Sequence, residues 1–171
     1  MEKSKLQFKI KNFLIIVLTI ILFFAAFKAR AARLFLETDV KNIGNDRQIE
    51  SVLKLDPQNQ SINAVEGKIS FSDNLKLIFV NDGDSIVDLW IQKPILKNNE
   101  ISFSGIMPGG YNGDLSPFWN GGRPGKILTL FFAADKVGDG EIKLNDSRAL
   151  LNDGSGTPAS LSINNSFFKI A

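Results

Sequence analysis

Residues 62–106 read INAVEGKISFSDNLKLIFVNDGDSIVDLWIQKPILKNNEISFSGI, and they decide the fold class. Short apolar runs alternate with turn formers: Asp73-Asn74, then Asn81-Asp82-Gly83-Asp84, then Asn98-Asn99. Asn, Asp and Gly tolerate the backbone angles of tight turns, so runs divided this way read as short strands. In Glu100–Ile106, Ile101 and Phe103 point one way while Ser102 and Ser104 point the other. That period of two belongs to a strand with one buried face. No stretch here keeps a helical period over three turns.

The pattern continues on both sides. Turn signals recur at Asn45-Asp46, Asp56-Pro57, Gly138-Asp139-Gly140 and Asn152-Asp153-Gly154. They predict nine strands: 33–38, 47–56, 62–71, 75–80, 85–92, 100–106, 127–134, 140–150 and 160–170. Nine short strands in about 140 residues suit one all-β domain, a two-sheet sandwich. Ile49, Val52, Leu53 and Leu55 do not alternate cleanly, which predicts a bulge in the second strand. Leu128, Leu130 and Phe132 are assigned to the core, as are Val87, Leu89 and Ile91. Thr129, Phe131 and Ala133 then face outward, with Ile86, Asp88 and Trp90.

The sandwich is expected over residues 32–171, after a leader over 1–31. Residues 1–12 are positively charged, and residues 13–27, FLIIVLTIILFFAAF, have Thr19 as their one polar position. Ala29 and Ala31 fit a signal-peptidase site, with Ala32 first in the mature chain. Fifteen apolar residues fall short of the roughly 20 of a spanning helix. Lys28 and Arg30 beside the site keep open an uncleaved apolar helix as anchor. Either way the remainder is exported, to the cell surface or beyond.

Composition excludes much chemistry. Among 171 residues there is no His and no Cys. That removes disulfides, thiolate metal sites, Ser-His-Asp triads and HExxH zinc sites. The chain has 20 Lys and Arg against 18 Asp and Glu. Six of the cations and one acid lie in residues 1–31, so the body is mildly acidic. Without a basic patch it has no footprint for nucleic acid. The carboxylate pairs Glu37/Asp39 and Asp82/Asp84 lack a further acid to complete a hydrolase motif. Residues 122–126, GRPGK, miss the first glycine and the Ser/Thr of a phosphate loop. The acidic turns at 81–84 and 152–154 do not have the spacing of a calcium loop, so no metal and no cofactor is expected. Asn59 and Asn164 begin Asn-x-Ser triplets of the kind expected by chance.

Four stretches, in order, resemble a known family. They are RLFLE followed by QIESVLKLD, SINAVEGKISF followed by NLKLIFV, ISFSGIMPGGYNG followed by GKILTLFFAA, and DGEIKLNDSRALLNDGSGT. Together they span nearly all of 33–170 and resemble a cohesin domain, the jelly-roll module that binds dockerin modules. Each motif is a strand with its turn, and only their order is specific. Certain cellulose-binding modules share the architecture. The resemblance implies a non-catalytic recognition module whose partner, a dockerin-like module or another surface protein, lies across a flat sheet face. It places Lys68, Ser70, Ile86, Asp88, Trp90, Ser102, Ser104, Thr129 and Phe131 on that face, with Trp90 and Phe131 as aromatic anchors. The alternative is that both aromatics pack beneath the long loop.

That loop, 107–126, holds six glycines and three prolines. Loops of this length in a compact domain are often functional. Tyr111, Phe118 and Trp119 beside Asn112, Asp114 and Arg123 suit polysaccharide binding, with rings stacked on sugars and polar groups on hydroxyls. The competing reading is that Phe118 and Trp119 plug the open end of the sandwich.

Overall fold

The structure is a computed structural model, and it describes residues 31–43, 46–114 and 122–170. Residues 1–30 of the leader lie outside the described residues, as do Phe118 and Trp119. Residues Ala31–Ala171 form one compact unit. Among the described residues no helix is long and apolar enough to cross a membrane.

Ten strands are present among the described residues. They are β1 (Ala32–Ile43), β2 (Asp46–Asp56), β3 (Ile62–Phe71), β4 (Leu75–Asn81), β5 (Leu89–Lys97), β6 (Glu100–Tyr111), β7 (Gly125–Ala134), β8 (Gly138–Leu151), β9 (Leu161–Asn164) and β10 (Ser166–Ile170). The first sheet has the order β4-β7-β2-β1-β9, and the second β10-β8-β3-β6-β5. Neighbours pair antiparallel except β1 and β9, which run parallel. The all-β sandwich read from the sequence is therefore observed.

Two layers form because each strand carries one apolar face. Leu34, Leu36, Ile49, Leu53, Leu55, Leu128, Leu130 and Phe132 line the inner side of the first sheet. Ile62, Val65, Ile69, Ile101, Phe103, Met107, Ile142 and Leu144 answer from the second. Phe132 is fully buried, and its ring meets the edge of Phe71 from the opposite sheet at 5.0 Å. The bulge expected in the second strand lies at Leu53/Lys54, where the pairing with β7 slips.

Three expectations are corrected. The predicted strand at 85–92 begins at Leu89 instead. Residues 85–88 are irregular: the Ser85 hydroxyl donates to the Ile127 carbonyl at 2.6 Å and accepts from the Val87 N–H. Val87 stays buried, but the alternation breaks beyond it, and a slip of one residue reverses every later side chain. Leu89 and Ile91 are exposed, whereas Trp90 packs on the core. Second, the single strand expected at 160–170 is two. Asn165 interrupts it, accepting a hydrogen bond from the Leu144 N–H, and the chain changes sheets there. Third, Thr129 was expected outward and accessible, but it is 5% exposed, flanked in register by Val52 and Asn81.

Asp56 ends β2. Only 6% exposed, it accepts from the Arg33 guanidinium at 2.7 Å and from the Gln58 backbone and side-chain amides. Burial alone would raise its pKa, but the hydrogen bonds from Arg33 and Gln58 outweigh it and hold the carboxyl below the usual range. A depressed folded pKa stabilises the fold above the unfolded value, about 4, and that contribution is lost as pH falls through the folded one. Asp56→Asn is accordingly less stable than wild type at neutral pH. Urea midpoints measured against pH should show the gap closing below about pH 4.

Candidate functional site

The outer face of the second sheet collects one group of predicted partner residues. Cross-strand register fixes its rows. Arg148, Glu66, Ser104 and Gln92 stand side by side on β8, β3, β6 and β5. The next row is Asn145, Lys68, Ser102 and Ile95, and the third is Lys143, Ser70, Glu100 and Lys97. These residues share a face because the strands alternate and the opposite positions, Val65, Ile69, Ile101 and Phe103, fill the core.

On the β8 side the charges are paired within the face. Arg148 Nε lies 2.5 Å from Glu66 Oε1. Lys68 Nζ lies 3.1 Å from Asp146 and 3.7 Å from Glu100. The hydrogen bond to Asp146, followed by the charge of Glu100, raises the Lys68 pKa, so this lysine stays cationic at any physiological pH. Asn145 donates to the Ser70 hydroxyl at 2.8 Å. In the middle, Ser102, Ser104 and Gln92 have no side-chain hydrogen-bond partner among the described residues. On the β5 side, Leu89, Ile91 and Ile95 are 52–65% exposed. A shallow concavity of about 350 Å³ runs between Glu66, Lys68, Gln92, Ser102, Ser104 and Asp146.

Of the nine predicted partner residues, this face unites Lys68, Ser70, Ser102 and Ser104. Asp88 is exposed just before β5. Ile86 and Trp90 turn inward and pack on the core. Gly105 makes this possible: a Cβ there would lie 2.3 Å from Val87 and 3.3 Å from the Trp90 ring. Thr129 and Phe131 belong to the first sheet. Trp90 and Phe131 therefore cannot anchor one partner together. The exposed apolar side chains that sequence reasoning missed are Leu89, Ile91 and Ile95, which it had placed in the core or left unassigned.

The predicted loop site is described at its stem. Asp114 and Arg123 exchange backbone hydrogen bonds at 3.0 Å, and Gly113 lies so close to Gly122 that a Cβ on Gly113 would sit 2.7 Å from the Gly122 Cα. The Tyr111 hydroxyl is 3.1 Å from Asp114 Oδ1 and 2.9 Å from the Arg123 carbonyl oxygen. Asn112 is exposed beside them. Burial, then the Asp114 carboxylate, raises the Tyr111 pKa well above that of a free phenol. A raised folded pKa gives stability that is complete below the unfolded value, about 10, and is lost as pH rises through the folded one. Tyr111→Phe should lack that alkaline loss when denaturant midpoints are compared across pH 8–12, about two units either side of the free phenol value.

The acidic turns engage their own backbone. Asn81 accepts from the Gly83 N–H and Asp153 from the Ser155 N–H, both at 2.9 Å. Among the described residues no three acidic side chains are grouped as a metal site would need.

The sequence matches no family model and no curated protein. Solved structures do match. A non-cellulosomal cohesin from the archaeon Archaeoglobus fulgidus superposes with a TM-score of 0.60 at 12% identity, over 83% of this chain and 92% of that one. The chain has the cohesin fold. The sixth cohesin of Acetivibrio cellulolyticus scaffoldin B, solved with a Cel5 dockerin, gives a TM-score of 0.62 at 13% identity, over 83% of this chain and all of that one. A Clostridium thermocellum OlpA cohesin solved with the dockerin Doc918 gives 0.60 at 17% identity, with the same coverages. The cohesin resemblance read from strand order is thus observed in three dimensions.

Proposed function

We propose that this chain is a non-catalytic, extracytoplasmic recognition module that docks a dockerin-like protein module on the outer face of β8-β3-β6-β5. Two of the cohesins it resembles in fold were solved with dockerins bound, which supports the partner class. One observation carries the choice of face: unbonded Ser102, Ser104 and Gln92 lie between a half-exposed apolar strip and charges that already have partners. A partner that covers the first two rows strands no unpaired charge there, which would cost several kcal/mol. Leu89, Ile91 and Ile95 supply apolar area, and the serines and Gln92 supply hydrogen bonds at fixed positions. The sheet is rigid, so little ordering entropy opposes association. The leader supports export, with residues 13–27 as signal or anchor.

The test presents the Ala31–Ala171 unit to a panel of dockerin modules and, separately, to polysaccharide gels. The proposal expects saturable binding to at least one dockerin and no retardation by polysaccharide. Retardation lost on Trp119→Ala, with no dockerin bound, would assign the function to the loop 107–126.

A further inference from the structure

The docking face has two unlike ends. Beyond the row that contains Glu66 and Ser104, cross-strand register sets Leu150, Ala64, Ile106 and Leu89 side by side on β8, β3, β6 and β5. Leu89 is exposed, the other three are half-buried, and none of the four packs on the core. Four apolar side chains thus cross four strands on the outer surface. The opposite end is the row that contains Ser70, Glu100 and Lys97. Ala64 and Ser70 stand six residues apart on β3, so the two rows lie about 20 Å apart. In the Ser70 row the charges are paired except one. Lys143 is 2.8 Å from Glu141, and Glu100 is 3.7 Å from Lys68. Lys97 is exposed opposite Glu100 and has no ion pair among the described residues. The free charge at the apolar end has the other sign. Asp88 is exposed just before Leu89, and it too has no ion pair among the described residues.

Resting on the docking proposed for this face, we infer that its protein partner lies there in a single orientation, set by these two ends. The partner brings an apolar patch and a basic group to the Leu89 row and Asp88, and a carboxylate to Lys97 about 20 Å away. Each end selects its own chemistry. Apolar side chains gain free energy when apolar surface covers them, and a polar group set against them without a partner loses its water. Lys97, once covered, needs an acid to offset its own lost hydration. Turned end for end, the same partner would bury its carboxylate against Ile106 and Leu89, beside Asp88. It would also bring its basic group to Lys97. Like charges meet at both ends of that reversed arrangement, so charge fixes the direction of docking.

The test uses the full-length chain in detergent micelles and a dockerin module that it captures, with Kd read by titration. Leu89→Ser, Asp88→Lys and Lys97→Glu should each weaken binding by about tenfold or more. None should move the melting temperature, because all three side chains are exposed. Surface acids of the dockerin are then reversed to Lys one at a time, and surface bases to Glu. One acid reversal should restore most of the affinity lost in Lys97→Glu and leave Asp88→Lys unrestored. One base reversal should do the converse. Changes below about twofold for both Lys97→Glu and Asp88→Lys overturn the single orientation. So does a loss that no dockerin reversal restores, or one reversal that restores both variants. In each of these cases the docking itself stands if Ile95→Asp with Ser104→Arg still abolishes capture. Capture of no dockerin overturns the docking and its orientation together.

Discussion

Phe132→Ala lowers the unfolding free energy of the Ala31–Ala171 unit by about 3–5 kcal/mol, the usual cost of removing a buried phenylalanine. The ring sits on β7, an interior strand of the first sheet, is fully buried, and meets Phe71 of the second sheet edge-on at 5.0 Å. Alanine removes both the transfer free energy and the contacts that tie the two layers. Neither Ile49 nor Leu77, its cross-strand neighbours, can fill the void without leaving its own place. The melting temperature should fall by about 10 °C or more in calorimetry. A loss below about 1 kcal/mol would mean that the layers are not packed through this residue. The neighbouring Phe131→Ala should cost far less, because that ring lies on the outer face, half-buried against Phe79.

Ile95→Asp together with Ser104→Arg abolishes capture of a dockerin module, weakening affinity by about a hundredfold or more. The two residues sit on the adjacent strands β5 and β6 of the proposed face. The aspartate places an unpaired charge in the apolar strip. The arginine fills the concavity beside Glu66 and Gln92 and collides with whatever covers it. Both positions point away from the core, so the melting temperature should move little. Phe131→Ala, on the other sheet, should leave capture unchanged. This pairing separates a folding defect from a docking defect, which substitution of the inward-facing Trp90 would not.

The layers of this protein were legible because most strands alternate. Leu128, Leu130 and Phe132, and likewise Ile101 and Phe103, are all buried as their period predicts. Sheet membership was less legible. Whether β3 and β7 share a sheet depends on pairings between distant segments, and local sequence carries no term for that. Hence Phe131 was grouped with residues that lie on the opposite layer. The facing of Trp90 failed for a local reason, the irregular stretch at 85–88. One signal did exist: Gly105 occupies an inward position of β6 between Phe103 and Met107, and an inward glycine leaves room that a large neighbour must fill. The change of sheet at Asn165 was also signalled, since Asn164-Asn165 is a turn pair between the apolar positions Leu161 and Ile163 and the pair Phe167-Phe168.

The most direct measurement is an NMR titration of the Ala31–Ala171 unit with a dockerin module that it captures. Perturbed amides and side chains are expected to cluster at Lys68, Gln92, Ile95, Ser102 and Ser104, and to spare Phe79, Phe131 and the loop stem at Tyr111. Perturbations gathered on the Phe79–Phe131 face or around the stem instead would contradict the assignment of the recognition surface.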